Sequence, residues 1–107
     1  MSEVSRTARV GDVGEHVLIA EITRRLGQGQ SALVGIGDDA AVISLSEPSV
    51  AVSTDVLVQD RHFRLSWSTA ADIGHRVAGA NLADVAAMGA MPTCLVVGLV
   101  LPPDTAV

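Results

Sequence analysis

Isolated carboxylates in apolar surroundings are the residues of this chain best suited to chemistry. Asp84 is the only charged residue between Val77 and Leu101. A carboxylate is costly to bury unless a partner compensates its charge, and no Lys, Arg or His lies within this stretch. A shared divalent cation would make several such carboxylates tolerable together, since Mg²⁺ prefers oxygen ligands.

Two further acidic motifs lie upstream of Asp84. The first, Gly35–Asp39, has glycines that let the backbone approach a phosphate, followed by Asp38 and Asp39 as Mg²⁺ ligands. The second, Ser53–Asp55, offers two hydroxyls and a carboxylate on consecutive residues. Each motif also has a purely structural interpretation, because Gly-Asp pairs form tight turns and Ser, Thr and Asp bond to nearby backbone. The residues alone leave both interpretations open.

Two other polar positions are open to two interpretations. Asn81 and Asp84 are three residues apart and share one helix face, where they form either a satisfied core pair or a ligand site. His62 lies in a predicted loop with Arg61 and Arg64. It either contacts a substrate phosphate or is an ordinary loop histidine.

The amino-acid composition argues against several classes of protein function. The 107 residues are 49% hydrophobic with a net charge of −5, which indicates one small folded domain and argues against nucleic acid as a partner. All seven basic residues are Arg, so the segment has neither a Walker A lysine nor a protein-kinase strand lysine. The run Ala90–Leu101 is too short to span a membrane. A polar N-terminus and one cysteine, Cys94, expected reduced and buried, predict a cytoplasmic protein.

The elements that position these residues are predicted in the order α-β-β-α-β, an α/β (α+β) class. Apolar spacing predicts a first helix, a strand interrupted by the glycines, and a second strand pairing with it. A capping box at Thr69 and Asp72 predicts a second helix that ends at Gly89. The expected ranges are 1–13 for a flexible N-terminus, then Gly14–Leu26, Leu33–Leu45, Val50–Val58, Thr69 to about Met88, and Thr93–Leu101.

Together these motifs resemble the N-terminal domain of the thiamine-monophosphate kinase family, within the aminoimidazole ribonucleotide synthetase-like superfamily. The matching segments are Gly14-Glu15, Gly35–Ala41, Ser53–Val58, His62-Phe63, Asp72–Gly74 and Asn81–Ala90. The Ser-Thr-Asp and His-Phe segments favour this family over its sister enzymes. The resemblance implies that residues 14–107 are a domain truncated at its C-terminal end, before the family's Gly-Gly-Asp-Thr segment.

The resemblance also implies the site and the assembly. It implies that several Mg²⁺ ions are bound by Asp39, Ser53, Thr54, Asp55 and Asp84, with Asp38 as a weaker candidate, and that His62 contacts thiamine phosphate. It implies strands that pair across a homodimer to form a β-barrel. No nucleic acid or membrane partner is expected.

The activity implied is ATP-dependent phosphorylation of thiamine phosphate to thiamine diphosphate. The acceptor oxygen is already anionic, so no catalytic base is expected, and metal ions would neutralise the charge of the two polyanions. The isolated fragment is expected to be inactive. Two alternatives stay open: another enzyme of the superfamily, such as aminoimidazole ribonucleotide synthetase, and a non-catalytic dimerisation fragment.

Overall fold

The computed structural model describes residues 7–26, 32–37 and 39–107. Its elements are two helices and one two-stranded antiparallel sheet, so the predicted α+β class is confirmed. The chain divides into two units, the first comprising residues 1–44 and 96–107 and the second residues 45–95. In the part of the chain that is described, no hydrophobic side chain is fully buried.

Helix α1 spans Val10–Leu26, so it begins earlier than the predicted start at Gly14. The Asp12 carboxylate accepts the Arg9 backbone N–H at 3.1 Å near this start. Gly14 has φ 70° and ψ 162°, a kink inside the helix that a residue with a Cβ would adopt only with strain. Near the C-terminal end, hydrogen bonds from Arg24, and then from Arg25, lower the pKa of Glu21 to about 2.

The last residues of the chain pack against the start of α1. The Gly11 N–H donates to the Pro103 carbonyl at 2.8 Å, and Arg9 and Ala106 form an antiparallel bridge. The approach is close, because a Cβ added at Gly11 would lie 2.9 Å from the Pro103 Cβ. This contact ties the two ends of the first unit together.

The predicted strand Leu33–Leu45 is instead two short strands, β1 at Ala32–Val34 and β2 at Val42–Ile43. They pair antiparallel with an irregular register, Ala32 opposite Ile43 and Val34 opposite Val42. The glycine motif lies between them, and Gly37 has φ 128°, which favours glycine. The motif therefore turns the chain back on itself, rather than interrupting one longer strand.

Helix α2 spans Ala70–Ala87 in the second unit, as the sequence predicts. Thr69 is its N-cap, and Thr69 and Asp72 form the predicted capping box. Met88 is the C-cap, and Gly89 follows with φ 67°. These local signals place both ends of α2 correctly because each end is satisfied by residues adjacent in sequence.

Two predicted strands are absent: residues 50–58 and 93–101, all of which are described, form none. A strand requires a hydrogen-bonded neighbour, and these apolar segments find none within the described chain. Their side chains face solvent, with Val52 86%, Val96 96% and Val100 94% exposed. Cys94 is exposed as well, so the expectation that it is buried was wrong.

Over the described residues, neither helix has the length and apolar character needed to cross a bilayer.

Candidate functional site

A shallow groove in the second unit brings together two of the predicted ligand residues. The Ser53 hydroxyl donates to Asp84 Oδ2 at 3.3 Å, although the residues are 31 positions apart. The groove is lined by Ala51, Val52, Ser53, Asp84, Val85, Ala87 and Met88. The polar pair thus lies in an apolar depression, with both oxygen-bearing groups accessible to solvent.

Helix α2 positions Asp84 one turn before its C-terminal end. At the N-terminal end, the Thr69 hydroxyl donates to Asp72 Oδ2 at 2.6 Å, and the Asp72 N–H donates back to that hydroxyl at 3.2 Å. The hydrogen bond from the Thr69 hydroxyl, and then that from its backbone N–H, lower the pKa of Asp72. The cap therefore anchors the helix that carries Asp84.

Asn81, on the same face of α2, bonds to its own helix. Its side-chain amide donates to the Val77 carbonyl at 2.9 Å, and the residue is half-buried. Of the two interpretations of this polar pair, Asn81 therefore follows the structural one. Asp84 makes its contact with Ser53 instead.

The two residues after Ser53 are both exposed. Asp55 Oδ1 accepts the Val56 N–H at 2.8 Å, a local contact of the kind that carboxylates make at a bend. Thr54 is the neighbour between Ser53 and Asp55. Across residues 7–26, 32–37 and 39–107, no three His, Cys, Asp or Glu side chains converge as they would around an ion.

The remaining predicted ligands belong to the Gly35–Asp39 motif in the first unit. Asp39 is exposed in the bend that follows Gly37. Asp38 lies outside the described residues. The contact between Ser53 and Asp84 is therefore the one convergence of predicted ligands that the described residues of the second unit contain.

His62 is held by a tight loop in the second unit. The Val58 N–H donates to His62 Nδ1 at 2.9 Å, and the Val58 carbonyl accepts the His62 backbone N–H at 2.8 Å. Asp60 has φ 63°, and its N–H donates to the Phe63 carbonyl at 2.7 Å. Sequence reasoning identified His62 but missed Val58 and Asp60. The one signal available was at Asp60, because Asp tolerates a left-handed backbone conformation.

An aromatic and cationic pair follows this loop. The Arg64 guanidinium lies over the Trp67 ring, 4.5 Å from its centroid. Trp67 is 76% exposed. Phe63, by contrast, is half-buried. In the sequence, the exposed ring of Trp67 follows the loop that holds His62 by a single turn.

Comparisons with known proteins agree with this arrangement of motifs. The sequence model described as "AIR synthase related protein, N-terminal domain" matches residues 37–107. A protein of Mycobacterium tuberculosis named thiamine-monophosphate kinase is 46% identical over 93 residues, which is 87% of this chain and 28% of that protein. The proteins of that name from Corynebacterium glutamicum and Escherichia coli are each 41% identical, over 92% and 83% of this chain and 29% and 28% of their own length.

The chain therefore spans between about a quarter and a third of the length of these relatives. No solved structure matches it. The matched region contains every predicted ligand that the structure describes, since the family model begins at residue 37.

Proposed function

Because this chain belongs to the family of AIR synthase related proteins through their N-terminal domain, we propose that the full-length protein phosphorylates thiamine phosphate to thiamine diphosphate with ATP. The observation that carries the proposal is a sequence match to a relative named thiamine-monophosphate kinase. The match covers 92% of this chain at 41% identity. The Ser53–Asp84 contact supports it, because it joins two separate motifs at one groove.

The chemistry suits the residues present. The attacking group is a phosphate oxygen that is anionic at neutral pH, so the protein needs no general base to deprotonate it. The difficulty is bringing two polyanions together, and divalent cations overcome it by bridging and neutralising phosphates. An acidic chain with no lysine fits such a design, since its carboxylates would attract the cations.

The hydroxyl and carboxylate oxygens are of the type that Mg²⁺ prefers, and two of them lie within hydrogen-bond distance of each other. The Ser53 hydroxyl and the Asp84 carboxylate already converge, and Mg²⁺ binds one or two protein oxygens together with water and substrate phosphates. By the family resemblance, Thr54, Asp55 and Asp39 are also proposed as Mg²⁺ ligands, with Asp38 as a weaker candidate. In this proposal His62 contacts the phosphate of thiamine phosphate.

The assembly that we propose is a homodimer. The segments 50–58 and 93–101 expose most of their valines and have no strand partner among the described residues. Exposed apolar strand-like segments are completed most economically by the same segments of a second copy. A β-barrel across the dimer would pair both. The single cysteine is in keeping with a cytoplasmic location.

The assembly is tested by analytical ultracentrifugation at micromolar concentration. We expect a dimer for the full-length protein and self-association for the 107-residue chain. A well-folded monomer in both cases would contradict the barrel.

The kinase assay uses purified full-length protein with ATP, thiamine phosphate and Mg²⁺, and chelation by EDTA as the metal-free condition. Formation of thiamine diphosphate that stops on chelation is the expected result. The family description also favours a second candidate, an aminoimidazole ribonucleotide synthetase-type reaction. Turnover of a ribonucleotide amidine without turnover of thiamine phosphate would replace the kinase by this candidate, and inactivity toward both would favour a non-catalytic dimerisation module.

A further inference from the structure

The C-terminal end of α2 is built from residues that also line the groove at Asp84. The Met88 N–H donates to the Asp84 main-chain carbonyl at 3.2 Å, and the Ala90 N–H donates to the Val85 carbonyl at 3.1 Å. Asp84, Val85 and Met88 all line the groove. The hydrogen bonds that end the helix and the α2 side of the groove therefore belong to one segment of chain.

Gly89 sets the path of this segment. Its φ of 67° lies in the left-handed region, and its N–H donates to the Ala86 carbonyl at 2.9 Å. Together with the bond from Ala90, this is the pattern with which a glycine ends many helices. A Cβ added at Gly89 would meet no atom within 4 Å beyond its chain neighbours. The position therefore favours glycine for its backbone conformation and not for lack of space.

The closed end of α2 bears on the charge of Asp84. Its carboxylate is exposed and accepts the Ser53 hydroxyl at 3.3 Å, and Val85, Ala87 and Met88 supply apolar atoms on the α2 side of the groove. Apolar atoms beside a charge exclude water, so they strengthen its attraction to a cation. Unwinding of the last turn would remove these atoms from the groove and release the main chain of Asp84.

We propose that Gly89 is a positioning residue for a divalent cation at Asp84, because its left-handed conformation holds the last turn of α2 closed as one wall of the groove. This inference rests on the proposed function for the identity of the cation, Mg²⁺. Gly89 has no side chain to offer the ion. It acts through the position of Asp84 and of the apolar residues that follow it.

Substitutions at two glycines of the full-length protein separate this role from an effect of added bulk. Gly89→Ala forces a residue with a Cβ into the left-handed region, whereas Gly89→Asn keeps that conformation, which Asn tolerates. Gly79→Ala is the matched control. It adds the same methyl group within α2, where φ is not positive and the methyl also meets no atom within 4 Å.

Calorimetric titration of Mg²⁺, without ATP or thiamine phosphate, measures the consequence for the ion. We expect Gly89→Ala to bind Mg²⁺ about three- to tenfold more weakly than wild type, and both Gly89→Asn and Gly79→Ala to bind it within about twofold of wild type. Hydrogen exchange in EDTA measures the turn itself. The amides of Met88 and Ala90 should exchange about tenfold faster in Gly89→Ala and at the wild-type rate in Gly89→Asn.

Met88→Ala tests the wall with the helix end intact, and it keeps the proposal testable should Gly89→Ala not fold. It removes apolar atoms from the groove while the main-chain hydrogen bonds remain. We expect Mg²⁺ binding to weaken by about two- to fivefold with no change in the exchange of the Ala90 amide.

Normal Mg²⁺ affinity in Gly89→Ala or in Met88→Ala would overturn the proposal, as would a Gly89→Asn protein as weak as Gly89→Ala or a wild type that binds no Mg²⁺. These outcomes are distinct from failure of the proposed function. A protein whose Mg²⁺ affinity depends on Gly89 in this way, but which fails the kinase assay, would retain this inference and lose the kinase activity. A kinase whose Mg²⁺ affinity is unchanged by Gly89→Ala would do the reverse.

Discussion

Replacing Asp84 by Asn separates a metal ligand from a structural residue more sharply than any other single change. The carboxylate is exposed, and its contact in the groove is a 3.3 Å hydrogen bond from Ser53. Asparagine keeps an oxygen that can accept this bond, so the metal-free protein should lose less than about 1 kcal/mol. For a full-length protein this is a shift in Tm of less than about 4 °C.

The effect on Mg²⁺ should be much larger. Two unit charges 4 Å apart attract by about 1 kcal/mol in water, and a divalent ion doubles this to about 2 kcal/mol. That loss corresponds to an increase of about thirtyfold in the Kd for Mg²⁺. The figure is a lower bound, because the apolar walls of the groove screen charge less than water does.

Calorimetric titration of Mg²⁺ and thermal melts in EDTA measure the two quantities on the same samples. Glu47→Gln is the matched control, since it removes an exposed carboxylate from the same unit and should change neither. Ser53→Ala should weaken Mg²⁺ binding, and the double variant should be less than additive if both groups bind one ion. An Asp84→Asn protein that melts far below wild type in EDTA but binds Mg²⁺ normally would refute the assignment.

Three predictions concern the two helices and the contacts that hold their ends. Thr69→Ala should lower the stability of α2 by about 1 kcal/mol, measured by hydrogen exchange of its amides. Because the pKa of Asp72 is lowered in the folded state, its contribution is present above its ordinary pKa of 3.8 and should be lost as the pH falls further, which acid melts of wild type and Asp72→Asn would reveal. Gly11→Ala should destabilise by about 1–3 kcal/mol through its clash with Pro103, whereas Gly79→Ala, which meets nothing within 4 Å, should stabilise by up to about 1 kcal/mol; equal melting shifts would contradict the packing at Gly11.

The parts of the fold that could be predicted are those that neighbouring residues satisfy. Helix α2 has its cap at Thr69 and its stop at Gly89, as the local signals indicated. The start of α1 was missed because its hydrogen bonds include a segment about a hundred residues away in sequence. The prediction of strand pairing failed because pairing also depends on segments distant in sequence. Periodicity indicates an extended apolar segment but does not indicate its partner.

The candidate site likewise has a part that could be predicted from the sequence and a part that could not. Oxygen-bearing residues in apolar surroundings identified Ser53 and Asp84, but only the structure shows that a hydroxyl and a carboxylate from separate motifs meet at one groove. Likewise, a histidine in a loop could be predicted, whereas its contact with Val58 could not. The Val58 N–H donates to Nδ1 of the ring, and that contact accompanies the left-handed turn at Asp60.

The sequence by itself determined the types of ligand available, the absence of lysine, the position of α2 and the family to which the chain belongs. Tertiary structure decided which ligands meet, which ring nitrogen of His62 accepts from Val58, and which apolar segments stay exposed. The physical reason is the separation in sequence between the residues that interact. Capping, turn formation and side-chain chemistry depend on residues a few positions apart, whereas grooves and strand pairs depend on the path of the whole chain.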